Sequence, residues 1–231
     1  MNKGVVLAAG LAVLLAAGGL WFGVRSSQPA MTPITLAAEA QETTSSATPS
    51  VSSVASKVPD MILGKDDAPV TILEYASYTC PHCAKFHETV WDKFKTNYID
   101  TGKVKFIYRE VYFDKFGLWA AMVARCGGPE KYFGVSDILY HTQKDWLSPT
   151  TEQGIADALK KIGLSAGMTD DQLKACMNDP EQAKAMVTAY QTNATADKIE
   201  GTPTFIINGE AHSGEMSYEE FAALVDAKLP K

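Results

Sequence analysis

Two cysteines separated by a Pro-His dipeptide, Cys80-Pro81-His82-Cys83, are the residues of this chain best placed to do chemistry. Thiols at this spacing can close into a disulfide and reopen, so the motif points to thiol-disulfide exchange. Exchange needs a nucleophilic thiolate, a second thiol within reach and a way to release the mixed disulfide. The order of the residues makes Cys80 the exposed attacking thiol and Cys83, one turn on, the resolving one. Pro81 suits the first turn of a helix, where its missing N–H removes no hydrogen bond. Cys80 would then stand at the helix N-terminus, whose unpaired N–H groups and macrodipole favour an anion. Its pKa is therefore expected well below that of a free thiol. A protonated imidazole at His82 would add to that stabilisation; in the plainer reading His82 merely faces solvent. A stabilised thiolate makes the disulfide a stronger oxidant, so the Pro-His pair leans toward an oxidase over a reductase.

Such a pair needs a strand before it and a helix behind it. Residues 70–76, Val-Thr-Ile-Leu-Glu-Tyr-Ala, are β-branched and aromatic enough for a buried strand, which Ser77, Tyr78 and Thr79 end. From Cys83 to about Ile99, Phe86, Val90, Trp91, Phe94 and Tyr98 recur mostly at spacings of three and four, the pattern of one buried helical face. Thr101-Gly102 turns the chain into a second core strand over 103–112, and the resulting β-α-β unit predicts a right-handed crossover. Met61, Ile62 and Leu63 supply a first short strand before the turn at 64–69. From 118 to about 197 the period is mainly helical, in segments 118–126, 132–142, 153–162, 170–177 and 181–196, with Gly127, Gly128, Pro129, Gly163 and Gly167 as breaks. A strand resumes at 204–207, Asn208-Gly209 signals a hairpin to a strand at 210–213, and Ser217 with Glu220 forms a capping box. The last helix would bury Phe221, Leu224, Val225 and Leu229.

Of 231 residues, 46% are hydrophobic and 21% charged, enough for one substantial core. The net charge of -6, with no Lys/Arg cluster to reverse it, argues against a nucleic-acid partner. After Met1-Asn2-Lys3, an apolar segment from Gly4 to Val24 lacks any charge and reads as an export signal, over residues 1–25 either a cleaved signal peptide or an uncleaved signal anchor. Ala38-Glu39-Ala40 has the form of a cleavage site but lies far from that segment, and Ala16-Ala17-Gly18 lies within it. Residues 26–58, rich in Ser, Thr, Ala and Pro, read as a flexible linker, and the folded domain as 59–231.

Leu73 to Cys83, Leu-Glu-Tyr-Ala-Ser-Tyr-Thr-Cys-Pro-His-Cys, followed about 120 residues later by Gly201-Thr-Pro-Thr-Phe-Ile-Ile-Asn-Gly209, resembles the DsbA-type thiol oxidases of the bacterial envelope. The resemblance covers roughly Pro59 to Pro230. It implies an α/β architecture: a thioredoxin-like fold with an inserted helical subdomain, here at about 116–197. It implies that Thr202-Pro203 is a cis-proline loop beside the active-site disulfide, with the Thr202 backbone offered to an extended substrate chain. It also singles out Glu74 as a buried acid that moves protons to and from Cys83, where desolvation would favour the neutral form. Glu74 lies in a nearly continuous apolar run, which favours burial over an edge carboxylate in water. The resemblance further implies unfolded or newly translocated thiol-containing proteins as substrates, a quinone-linked membrane partner as reoxidant, a periplasmic location and no cofactor.

Cys126 and Cys176, both on expected helices of the insertion, would form a structural disulfide in an oxidising compartment; two separately buried thiols are the alternative. Cys80, Cys83 and His87 also read as three zinc ligands, but the remaining cysteines stand unpaired with any further ligand, so no metal is expected. His87, His141 and His212 default to surface or helix-capping roles. Tyr75, Tyr78 and Phe86 fit either an apolar platform for substrate or the core. A periplasmic isomerase or reductase is the alternative catalytic class, since Thr before the loop proline occurs in isomerases too. Isomerases of this kind generally carry a dimerisation domain, whereas only a tether precedes this core, which favours a monomeric oxidase. A non-catalytic holdase is disfavoured by the intact cysteine pair.

Overall fold

A computed structural model describes residues 58–231; the apolar segment 4–24, both small-residue cleavage motifs and the tether up to Lys57 lie outside the described residues. The core is a five-stranded mixed sheet in the order β1-β3-β2-β4-β5. Its strands are β1 (Met61–Leu63), β2 (Val70–Ala76), β3 (Val104–Glu110), β4 (Thr204–Ile207) and β5 (Glu210–Ser213). β2 and β3 are parallel, with Glu74 opposite Tyr108; β1 runs antiparallel to β3, and β4 antiparallel to both β2 and β5, with Glu74 opposite Phe205. Central β2 is flanked on both sides, and accordingly its residues are buried or nearly so. The β4-β5 hairpin turns on Asn208 and Gly209, which adopt φ of 46° and 88°. Two successive positive φ values define the tight turn whose twist matches that of paired strands.

The helix between β2 and β3 runs over 81–99: α1 (Pro81–Phe86), a π-helical stretch His87–Trp91, α2 (Asp92–Phe94) and a second π-helical stretch Lys95–Ile99. The apolar stripe from Phe86 to Tyr98 packs inward as its spacing requires. Phe86 meets Phe205 and Phe221, Phe94 meets Phe221, and Trp91 meets Phe106, so the helix is wedged between the sheet and the C-terminal helix. Tyr75, Tyr78 and Phe86 belong to this packed interior. The reading of them as an exposed substrate platform is therefore corrected; their bulk fills the core between layers.

The insertion consists of α3 (Lys115–Cys126), α4 (Pro129–His141), α5 (Gln143–Trp146), α6 (Glu152–Ser165), α7 (Asp170–Met177) and α8 (Pro180–Ala196). Several of these start earlier than apolar periodicity indicates, because polar caps and prolines set the first turn. Asp114 and Thr151 accept backbone N–H bonds at the starts of α3 and α6, and Pro129 and Pro180 open α4 and α8. The insertion is pinned to β3 by a buried ion pair, in which Arg125 donates two bonds of 2.6 Å to Glu110 and Tyr132 donates a third of 2.8 Å. Cys126 and Cys176 are bonded, with Cα atoms 5.8 Å apart, tying α3 to α7. The last helix, α9 (Tyr218–Asp226), opens on the Ser217–Glu220 capping box and buries Phe221, Ala222 and Val225. Leu229 lies beyond its end and packs only partly, so the expected buried face is one turn too long.

Candidate active site

Cys80 is the N-cap of α1 and Pro81 its first residue, as the dipole argument requires. Both cysteines are free thiols. Cys83 points into the core with no exposed surface, and Cys80 retains 8%. The attacking thiol is thus not broadly exposed, as the sequence reading had it, but reachable through a narrow opening. What narrows it is the loop before β4. The Thr202-Pro203 peptide bond is cis, and it brings the Thr202 carbonyl oxygen to 3.5 Å from Cys80 Sγ.

The two sulfurs are driven to opposite protonation states. A hydrogen bond from the Cys83 thiol, joined by the Thr202 side chain and the backbone N–H groups of Cys83 and His82, lowers the Cys80 pKa to about 5 against the opposing cost of burial. Burial pushes the Cys83 thiol far up, and the neighbouring Glu74 charge pushes it further. The site therefore holds a thiolate at its mouth and a thiol at its floor. His82 contributes its backbone N–H to the thiolate, while its imidazole Nδ1 lies 3.1 Å from Glu215 Oε2 on the loop after β5. The His82 side chain is 69% exposed, so its imidazole faces solvent beside a surface carboxylate, and it is the His82 backbone, not the ring, that acts on the thiolate.

Glu74, on the face of β2 shared with Tyr108, is wholly buried. Its Oε2 lies 3.3 Å from Nε2 of His87, which is itself 2% exposed. His87 is consequently no surface residue; the helix places it one turn past Cys83 on the same buried side. Its ring stacks on Tyr140 with centroids 4.1 Å apart and planes 12° from parallel. Tyr140 bonds Tyr108 through their hydroxyls, and Tyr78 bonds Tyr132 and Ser136. Burial holds the hydroxyls of Tyr78, Tyr108, Tyr132 and Tyr140 above their ordinary range, so this ring of phenols stays neutral.

A further positioning residue comes from α5, a four-residue helix the apolar pattern does not reveal. Buried Gln143 donates from Nε2 to the Tyr78 carbonyl at 2.8 Å and to the Cys80 carbonyl at 3.0 Å. It clamps the turn between β2 and the redox motif. Beside the motif a groove of about 790 Å³ runs past His82, Lys85, Lys93, Thr202, Met216 and Tyr218. Cys126 and Cys176, in the insertion, form a separate disulfide and take no place in this constellation. His141 bonds the Asp137 carbonyl within its own helix, and His212 lies beside Glu210 on β5.

A redox-capable cysteine pair at a helix N-terminus, faced by a cis-proline loop on a sheet of this topology, defines a thioredoxin-fold dithiol protein with a helical insertion. Residues 56–227 match the thioredoxin family. The structure is similar to the crystal structure of Wolbachia pipientis α-DsbA1, with a TM-score of 0.66 and 30% identity over 73% of this chain and 89% of that one. It is similar also to oxidised BdbD from Bacillus subtilis, with a TM-score of 0.64 and 26% identity over 73% and 92% of the two chains. A Rickettsia bellii relative named as a protein-disulfide oxidoreductase is 32% identical over 171 residues, covering 74% of this chain and 64% of that protein. The chain thus spans under two thirds of that curated relative's length. It belongs to the DsbA-type branch of the thioredoxin family.

Proposed function

We propose that this protein is an exported thiol:disulfide oxidoreductase that donates its Cys80-Cys83 disulfide to newly translocated proteins. The observation that carries the reading is the opposed protonation of the two sulfurs, with Cys80 lowered to about 5 and Cys83 pushed the other way. A substrate thiolate attacks Cys80 Sγ, the Cys80–Cys83 bond breaks, and its electron pair leaves on Cys83, which takes up a proton. The second substrate thiolate then attacks the substrate sulfur of the mixed disulfide and expels Cys80 as a stabilised thiolate. Two electrons pass from substrate to enzyme. Because the leaving thiolate is stabilised, equilibrium favours the oxidised substrate. The Thr202 backbone beside cis-Pro203 would hold an extended substrate strand during the exchange.

The charge-free segment 4–24 supports delivery to the periplasm, with or without retention as an anchor. A membrane-bound, quinone-linked oxidase would restore the disulfide, and the folded domain would work as a monomer. The test is an equilibrium titration of the protein against glutathione, with Cys80 ionisation followed by thiolate absorbance. A strongly oxidising potential and an acidic Cys80 are expected. A potential near that of thioredoxin, about -270 mV, with a Cys80 pKa near neutral would move the protein to the reductases or isomerases.

A further inference from the structure

Each reduction of the disulfide requires Cys83, a thiolate at the instant it leaves, to gain a proton, and each reoxidation requires it to lose one. Glu74 adjoins Cys83, but Glu74 is wholly buried and cannot trade protons with water directly. A carboxyl that gives up one proton per turnover must be recharged, so it needs a connection outward. Its hydrogen-bond partner is His87, through Oε2 and Nε2 at 3.3 Å. An imidazole is two-ended, accepting a proton at one nitrogen while releasing one at the other. The second end of this pair is free: His87 Nδ1 and Glu74 Oε1 are both buried without a hydrogen-bond partner among the described residues. Buried polar atoms left open on both sides of one hydrogen bond are uncommon in a structural pair, which would be expected to satisfy them.

The groups facing His87 narrow the direction. Glu74 comes from β2, Tyr108 from β3 and Tyr140 from α4, while Cys83 and Trp91 lie on its own helix. Burial keeps the two tyrosines neutral. The remaining charge that acts on the imidazole is Asp137 of α4, a half-buried carboxylate at the edge of the core with Asp92 and His141 near it. Its own burial favours proton uptake.

We propose that His87 relays protons between Glu74 and Asp137, so that the sealed Cys83 communicates with solvent along the series Cys83, Glu74, His87, Asp137. This rests on the thiol-exchange reading above. When the Cys80–Cys83 bond breaks, the Cys83 thiolate takes the Glu74 proton. The Glu74 carboxylate recovers one from His87 Nε2 as Nδ1 takes one up from the Asp137 side, so the imidazole stays neutral and changes tautomer. Reoxidation runs the series in reverse. The proton ultimately comes from solvent, into which the substrate thiols release theirs, and the electrons stay on the sulfurs. His87 and Asp137 touch no reacting sulfur and act through Glu74.

The experiment is rapid-mixing reduction of the oxidised full-length protein by dithiothreitol, quenched with acid and scored by thiol alkylation, from pH 5 to 8 in water and in deuterium oxide. His87→Gln keeps an amide that can bond Glu74 but cannot carry a proton. It is expected to slow reduction about a hundredfold at pH 7, the lower end of the range for lost proton transfer, and to raise the solvent isotope effect. Asp137→Asn, at the solvent end, is expected to slow reduction at low buffer and to recover as imidazole buffer is added. Rates within about twofold of the unaltered protein for both variants, at every pH, would overturn the relay, as would a slow His87→Gln beside an unaffected Asp137→Asn. Failure of the underlying reading looks different: the unaltered protein itself would show no reducible Cys80-Cys83 bond.

Discussion

Gln143 shows how much of a redox site can depend on a side chain that takes no part in the reaction. Its amide satisfies the carbonyls of Tyr78 and Cys80 from one nitrogen, at 2.8 and 3.0 Å, in a buried setting. Gln143→Met keeps the bulk and removes the amide, which takes the side-chain donor from the Tyr78 carbonyl and leaves the Cys80 carbonyl with the Ala84 N–H alone. A loss of about 1–3 kcal/mol in urea unfolding is expected, together with a Cys80 thiolate titration that broadens as the turn loosens. Neither Gln143 nor His87 could be assigned from sequence. Gln143 is polar, stands in a four-residue helix and meets its partners only through tertiary folding. His87 did leave a trace: it lies four residues after Cys83 within the stripe of Phe86, Val90, Trp91 and Phe94, where a polar side chain marks a buried partner. Glu74 was legible because its strand is apolar on both sides and its place before the motif is distinctive.

Among the elements, those with strong local chemistry were the most legible. β2, β4 and β5 follow from β-branched runs and the Asn208-Gly209 turn, α7 from its helical period, and the start of α9 from the Ser217–Glu220 capping box. The π-helical stretches and the early starts of α3, α4, α6 and α8 were not, since apolar spacing says nothing about a cap or a widened turn. The insertion carries its own fastening in the Cys126–Cys176 bond, which closes a separation of 50 residues. Replacing both cysteines by serine should cost about 4 kcal/mol in the chain-entropy account, read as a lowered urea midpoint. The glutathione equilibrium of Cys80-Cys83 should be unchanged, because the Cys126–Cys176 bond joins α3 to α7 and makes no bond to the redox motif.

For the whole molecule, the low Cys80 pKa links redox state to stability. Between about pH 5 and 9 the folded reduced protein holds Cys80 as thiolate while the unfolded chain holds it as thiol, so the unfolded state binds more protons and stability rises with pH. The contribution is present above pH 9 and is lost as pH falls through 5. At pH 7 the contribution is present, though smaller than the full shift implies because solvent at the mouth of the site screens the thiolate. Cys83, shifted upward, adds nothing below pH 9. Thermal unfolding should therefore find the reduced form more stable than the oxidised at pH 7. The gap should narrow toward pH 5, and Cys80→Ser should lose the part of the pH dependence that the Cys80 thiolate contributes. The same molecule depends on the parity of one strand. Glu74 faces Tyr108 and His87 because it is an even step along β2, whereas Tyr75 and Leu73 point the other way. Losing or gaining a single residue in that strand would put a phenol or an alkyl chain under Cys83 and turn the carboxylate to the opposite face. The active site thus has a reading frame, and β2 should tolerate exchanges of residue far better than changes of length.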